Sequence, residues 1–436
     1  MKRLVMIGLS WLLLGMLWAT SVSAEEKQLD GHWEGAITQP AGELKMAVDF
    51  TTSGTIKGTF TLPAAAVFKW PLNITYAAPN LKFKLPTGIV FEGNVQGDTI
   101  AGKVPSPSGG HVDTFYLKRT PATALPYKEE DVTFQSGGVT LAGTLRLPLT
   151  KGRHPAVFLL QGSGDADREA ESFYADYFAR QGIATLVYDK RGTGDSGGDY
   201  REESFDDFAA DALAGVHYLQ RRKDINARHV GLSGRSHGGM VAPLAASLSK
   251  DVAFVINVSG TGVPPYQQVT YQAETEMRRD GFSETEIAEA LQYMNLKWQV
   301  ARAGGEGWER LEVATRSARD KKWAERVQLA TKPEDIVPSW KLQMDYDPML
   351  ALQKVKQPVL AVFGELDSST PVAATTAVYR TALSQAGNRD YSIKVFPGAD
   401  HALLVWPKPN DQAHWPVLAA GYLDVMTNWI NKHVRR

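Results

Sequence analysis

From Gly31 to Arg119 apolar side chains fall at every second position. Leu44, Met46, Val48 and Phe50 alternate with polar neighbours, and so do Ile56, Phe60 and Leu62, then Leu72, Ile74 and Tyr76, then Leu81, Phe83 and Leu85. Period two sends one set of side chains to one face of a strand, which predicts an antiparallel meander with a single buried face. Further short runs at 89–95, 100–104 and 112–117 are separated by Gly-Asp, Pro-Thr-Gly and Pro-Ser-Gly-Gly turns. So many short strands need closure to hide their edges, and a small barrel or curled sheet is expected. Residues 120–126 break both periodicities and read as a linker. The pattern therefore divides the chain into a small antiparallel β domain at 25–120, a linker at 121–130 and a second domain at 131–436.

In the second domain the texture changes. Residues 131–136 and 139–147 read as a hairpin across Gly137-Gly138. Continuous apolar runs follow at 156–160, 184–188, 230–232, 252–258, 359–363 and 393–396, with helical periodicity between them at 168–181, 204–221, 239–249 and 416–433. Apolar strands alternating with helices predict an α/β fold, a doubly wound and mostly parallel sheet covered on both faces. The interval at about 261–350 is too long for one crossover. It carries helical periodicity, a capping-box signal at Ser283-Glu284-Thr285-Glu286, and Trp298, Trp308, Trp323 and Trp340, and it reads as a helical lid inserted between two strands.

Composition narrows the class. Lys2-Arg3, an apolar stretch from Leu4 to Trp18 and small residues at Val22-Ser23-Ala24 read as a secretory signal peptide over 1–24, cut after Ala24. The chain has no cysteine, which excludes a lipoprotein anchor and disulfides, so stability must come from a packed core. The formal net charge is −1 and becomes two units more negative once Lys2 and Arg3 are removed. With no basic run, no nucleic-acid partner is expected, and after signal cleavage no stable membrane insertion. Export is expected, to the periplasm rather than to full secretion. The sequence leaves the oligomeric state open, a dimer included.

Candidate chemistry begins where a short apolar run ends in Gly234-Arg235-Ser236-His237-Gly238 and a small-residue helix follows. Strand, tight turn and helix in that order suit a nucleophile elbow, a strained turn that lifts a serine hydroxyl above a parallel sheet. Gly234 and Gly238 would let the two backbones close around Ser236, and the His237 amide would face a developing oxyanion. Gly194-Asp195-Ser196-Gly197-Gly198 matches the same pentapeptide but runs into polar residues, so it reads as a loop. The GxGxxG match through Gly192, Gly194 and Gly197 lacks the helix that phosphate binding needs.

An elbow serine needs a base and an acid that holds the base's tautomer. A strand runs into Gly364-Glu365-Leu366-Asp367, and another into Gly398-Ala399-Asp400-His401. Asp367 and His401 are the candidates, with Glu365 as rival acid and Asp400 a weaker one. His237 adjoins the serine, but its side chain should project away. The second oxyanion donor should come from Gln161-Gly162-Ser163-Gly164, through the amide of Ser163 or, next, of Gly162. Asp165, Asp167 and Arg168 are expected to fix that loop through salt bridges.

These motifs, with Tyr188-Asp189-Lys190-Arg191-Gly192-Thr193-Gly194-Asp195-Ser196, resemble the α/β-hydrolase superfamily. The nearest likeness is to exported serine carboxylesterases that join a small β domain to a lidded hydrolase domain, with similarity also to serine aminopeptidase-like hydrolases. The resemblance covers about Asp131 to the C-terminus. It implies cleavage of a small-molecule ester, of short to medium acyl chain, through an acyl-enzyme by Ser236, His401 and Asp367, with no cofactor and no metal, and an architectural role for Arg191. Gln161 stands where many such proteins have histidine. Amide hydrolysis on the same residues is the alternative, and a glycan-binding envelope protein with an idle hydrolase domain is a third reading. A lid rich in tryptophan is expected to suit apolar acyl groups.

Overall fold

The computed structural model describes residues 28–53, 55–408 and 414–434, and the expected signal peptide lies outside them. The alternating segment forms one antiparallel sheet. Its strands are β1 (Gly31–Gln39), β2 (Gly42–Thr51), β3 (Lys57–Leu62), β4 (Val67–Pro71), β5 (Asn73–Ala77), β6 (Asn80–Lys84), β7 (Val90–Gln96), β8 (Thr99–Pro105) and β9 (Val112–Arg119). They pair in the order β4-β3-β2-β1-β9-β8-β7-β6-β5. The edge strands β4 and β5 are joined by Leu72 alone, whose N–H donates to Gly58 O at 3.0 Å, so the sheet curls until its two ends meet. Inside it Phe83 and Phe91 stack at 4.6 Å, and Trp33 is wholly buried with its indole N–H on Leu29 O.

The second sheet comprises β10 (Tyr127–Ser136), β11 (Val139–Pro148), β12 (His154–Leu160), β13 (Ala184–Tyr188), β14 (Ile225–Arg235), β15 (Val255–Val258), β16 (Val359–Gly364) and β17 (Tyr391–Phe396), in the order β10-β11-β13-β12-β14-β15-β16-β17. The hairpin pairs antiparallel onto β13, and every later pairing is parallel. Helices α1 (Ser172–Arg180), α2 (Phe205–Gln220) and α3 (His237–Leu248) follow β12, β13 and β14. Apolar side chains of α2 and α3 pack in one core and those of α1 in another, which leaves the central strands buried on both faces.

Helices α4 (Pro265–Arg279), α5 (Glu284–Arg302) and α6 (Trp308–Ala318) and shorter turns up to Met344 are inserted between β15 and β16. The capping box forms, with Glu286 N–H donating to Ser283 Oγ and Ser283 N–H to Glu286 Oε2. The insertion has its own apolar core, in which Trp323 and Trp340 are buried and Trp298 and Trp308 half-buried.

Several boundaries differ from the sequence pattern. Strand β10 begins at Tyr127, inside the expected linker, because Tyr127 is buried, pairs with Pro148 and donates its hydroxyl to Asp176 at 2.6 Å. The helix expected at 168–181 starts as a 3-10 turn at Arg168–Glu171. The last helix begins at Tyr422 rather than 416, since Val417–Leu418 pairs with Leu404–Val405 and Gly421 turns the chain at φ 76°.

Candidate active site

Strand β14 ends at Arg235 and α3 opens at His237, so Ser236 is the whole turn between them. It sits at φ 53°, a strained conformation for an L side chain that costs about 1–3 kcal/mol. The surroundings impose it: Ser236 N–H donates to Val258 O at 2.8 Å, and Gly238 N–H to Gln161 O at 3.0 Å. A Cβ on Gly234 would lie 1.9 Å from Gly238 O, and one on Gly238 would lie 2.3 Å from Leu160 O. Only glycine permits that approach.

The loops after β16 and β17 meet beside the elbow, tied by Leu366 N–H on Ala399 O at 2.8 Å. Asp367 is buried, and its Oδ1 accepts the N–H groups of Ser369 and Thr370 at 2.8 and 2.7 Å. Both its oxygens lie 2.8–2.9 Å from His401 Nδ1, and His401 Nε2 lies 3.0 Å from Ser236 Oγ. A carboxylate facing Nδ1 favours the tautomer with its proton there, which leaves Nε2 free to accept from the hydroxyl. Three side chains from three strand ends thus form one hydrogen-bonded chain.

The other candidates are engaged elsewhere. Glu365 accepts Gly398 N–H at 2.9 Å. Asp400 staples its own loop, accepting from Ala402 N–H, Leu404 N–H and the Trp406 indole. Ser196 is buried, donating to Asp189 O at 2.7 Å and accepting from Ala142 N–H at 2.9 Å. The His237 ring stacks on Phe205 at 4.7 Å and meets Phe208 edge-on at 4.9 Å. Burial, aided by the Lys190 charge, lowers its pKa to about 3, so it stays neutral.

Behind the elbow, Gln161 donates its side-chain amide to Tyr188 O and to Asp167 O, stapling its loop to the end of β13. Lys190 Nζ donates to Gly162 O and Gly164 O. Of the residues expected to fix the loop by salt bridges, only Arg168 does so, pairing with Asp189 at 2.6 Å and Asp195 at 3.0 Å. Asp167 instead caps the 3-10 turn through Glu169 N–H, because its carboxylate sits one residue before the first free amides. Arg191 pairs with Asp211 at 2.7 Å and Glu203 at 2.8 Å.

Ser236 opens into a cavity of about 450 Å³, whose lining includes Gly162, Ser163, Arg235, His237 and His401. The insertion contributes Gln268, Gln272 and Gln343 to its wall. No tryptophan of the insertion lines it, which corrects the expected apolar tryptophan surface. Trp298 and Trp340 face a separate cavity of about 370 Å³ within the insertion, because they close its own core. The insertion also braces the acid loop, with Tyr271 hydroxyl donating to Asp367 O at 3.3 Å. The sequence reading missed the glutamines. Gln268 and Gln272 were findable as i, i+4 amides on one face of α4. Gln343 lies in a π-helical turn, Trp340–Met344, which has no sequence signature. Among the described residues no group of three or more His, Cys, Asp or Glu is placed to hold a metal ion.

The model of the X-Pro dipeptidyl-peptidase (S15 family) matches residues 136–401, more than half the chain. The chain belongs to the S15 family. As an S15-family protein it has the α/β-hydrolase fold, and the match runs from the end of β10 to His401. An uncharacterized Pseudomonas aeruginosa protein, PA2218, is 32% identical over 129 residues, 29% of this chain and 35% of its own. The S15-family chain thus matches about a third of that relative's length. An uncharacterized 31.7 kDa Escherichia coli protein from the traX-finO intergenic region is 23% identical over 69% of this chain and 97% of its own. Among solved structures, the α/β-hydrolase GrgF from Penicillium superposes with a TM-score of 0.46 at 20% identity, covering 71% of this chain and all of the other.

Proposed function

We propose that the protein is a serine hydrolase of carboxylic esters. Ser236 attacks the ester carbonyl while His401 Nε2 takes its proton, and Asp367 accepts from Nδ1 and stabilises the imidazolium. The amides of His237 and Ser163 hold the oxyanion, His401 returns its proton to the leaving alcohol, and water releases the acyl group by the same route. The observation that carries this reading is the hydrogen-bonded chain Asp367, His401 and Ser236, with Ser236 held in a strained turn at a helix N-terminus. Ser236→Ala is expected to lower ester turnover by several powers of ten with the fold retained. An organophosphonate should label Ser236 in intact protein, as read by mass spectrometry and peptide mapping. Turnover unchanged in Ser236→Ala would sink the reading.

The family description favours a second reading, removal of dipeptides ending in proline. Such a substrate brings a free ammonium, which calls for a carboxylate in the cavity wall. Among the described residues lining this cavity there is no Asp or Glu, and the charged side chain present is Arg235. That observation supports esters over N-terminal dipeptides. Turnover of aminoacyl-prolyl anilides exceeding that of short acyl esters would reverse the order. Export is part of the same proposal, and N-terminal sequencing of protein from a periplasmic extract tests it: a chain beginning at Glu25 is expected.

A further inference from the structure

Lys190 is 2% exposed, and its ammonium is turned into the protein behind residues 162–164. It donates to Gly162 O and to Gly164 O, and lies over the rings of Tyr200 at 5.7 Å and Phe208 at 6.0 Å. The charged and titratable groups around it are Asp165 beside its carbonyl acceptors, His237 on α3, and Arg201 in the turn Tyr200–Glu202. Among the described residues no carboxylate forms an ion pair with it. An ammonium buried on carbonyls and rings alone carries a large desolvation penalty. A neutral side chain of that length would fill the same space without the penalty, so the charge points to a use at the carbonyls.

The peptide plane identifies the use. A trans peptide directs its C=O and N–H to opposite sides. Gly162 O faces Lys190, so the Ser163 N–H of that same peptide faces the other way, and Ser163 lines the cavity together with Ser236. Gln161 O, by contrast, faces Gly238 N–H, which turns the Gly162 N–H away from α3. Among the described residues neither Ser163 N–H nor His237 N–H has a protein acceptor.

We propose that Lys190 is a positioning residue for the oxyanion hole: by holding Gly162 O and Gly164 O it aims the Ser163 N–H at the substrate's carbonyl oxygen, and its charge polarises that peptide in the direction in which negative charge develops. The proposal rests on the reading of Ser236 as nucleophile. Burial lowers the Lys190 pKa to about 8, with Asp165 opposing the shift, so the ammonium is charged at neutral pH and titrates on the alkaline side.

The test uses the full-length mature protein, p-nitrophenyl butyrate as substrate and an organophosphonate as label. Lys190→Met is expected to lower kcat by about 10²-fold, the low end for loss of an oxyanion donor, with KM changed little. Lys190→Arg keeps the charge and a donor, and should recover most of the lost kcat. Wild-type kcat should fall as pH rises through about 8, and that limb should be displaced upward in Lys190→Arg, because a guanidinium does not deprotonate there. A Lys190→Met protein with wild-type kcat overturns the proposal, as does an alkaline limb shared by, or absent from, both wild type and Lys190→Arg. That comparison decides alone should Lys190→Met not fold. A wild-type protein that hydrolyses no ester and takes no label at Ser236 removes the nucleophile reading and this proposal with it. An active, labelled wild type beside an unaffected Lys190→Met removes this proposal only.

Discussion

Three carboxylates lie within two short loops, and only one accepts from an imidazole. Asp367 receives His401 Nδ1 and two backbone N–H groups, whereas Glu365 is spent on a backbone N–H of the histidine loop and Asp400 on backbone and indole donors of its own loop. Asp367→Asn should therefore present the wrong tautomer of His401 and lower kcat by about 10⁴-fold, while Glu365→Gln and Asp400→Asn stay within about tenfold of wild type. Steady-state kinetics on one ester checks all three, and a larger loss in Glu365→Gln than in Asp367→Asn would reassign the acid. These positions could be read from the sequence because each lies just past an apolar strand, and strand ends set where a loop residue goes. Lys190 and Gln343 could not be read so. What they do depends on which carbonyls or cavity walls other segments bring near them, and one chain's local pattern holds no record of that.

At the scale of elements, the loop after β13 is fastened by charge. Arg191 reaches α2 through Asp211, which is wholly buried, and the segment just before α2 through Glu203. Removing one partner of a buried pair leaves the other charge uncompensated, at about 3–5 kcal/mol. Arg191→Met should lower the unfolding free energy obtained from urea titration by an amount in that range, with kcat of the surviving folded protein retained. The contrast with its neighbour Lys190, whose loss should act on kcat, separates support of the fold from support of the reaction. The parallel strands were legible because a sheet covered on both faces makes continuous apolar runs. Element ends were less so: β10 and the final helix depart from the periodic pattern where a single tertiary contact, the Tyr127 hydroxyl or the Val417–Leu418 ribbon, outweighs local preference.

At the scale of the whole molecule, a residue beyond the second sheet completes the core of the first. Trp415, near the C-terminus, is buried among the apolar side chains of the first sheet, 6.0 Å from the Phe91 ring. Its indole N–H donates to Asp113 at 3.0 Å and its backbone N–H to Gln39 at 2.8 Å. Leu404–Val405, just after His401, pairs with Val417–Leu418, just after Trp415, in the ribbon that closes the histidine loop. Trp415→Ala should cost about 3–5 kcal/mol, and calorimetry of the wild type should show both sheets melting in one transition. Two well-separated transitions would show that they are independent. Period-two alternation made the first sheet legible without showing that its interior is completed by a residue some 300 positions away.

That completion has a consequence in time. A ribosome adding about 5–20 residues per second needs roughly 15–60 s to pass from the end of β9 to Trp415. Throughout that interval the first sheet exists without the side chain that plugs it, and the polar groups of Asp113 and Gln39 wait for their donors. The first sheet thus reaches its full native packing only after Trp415 has been synthesised.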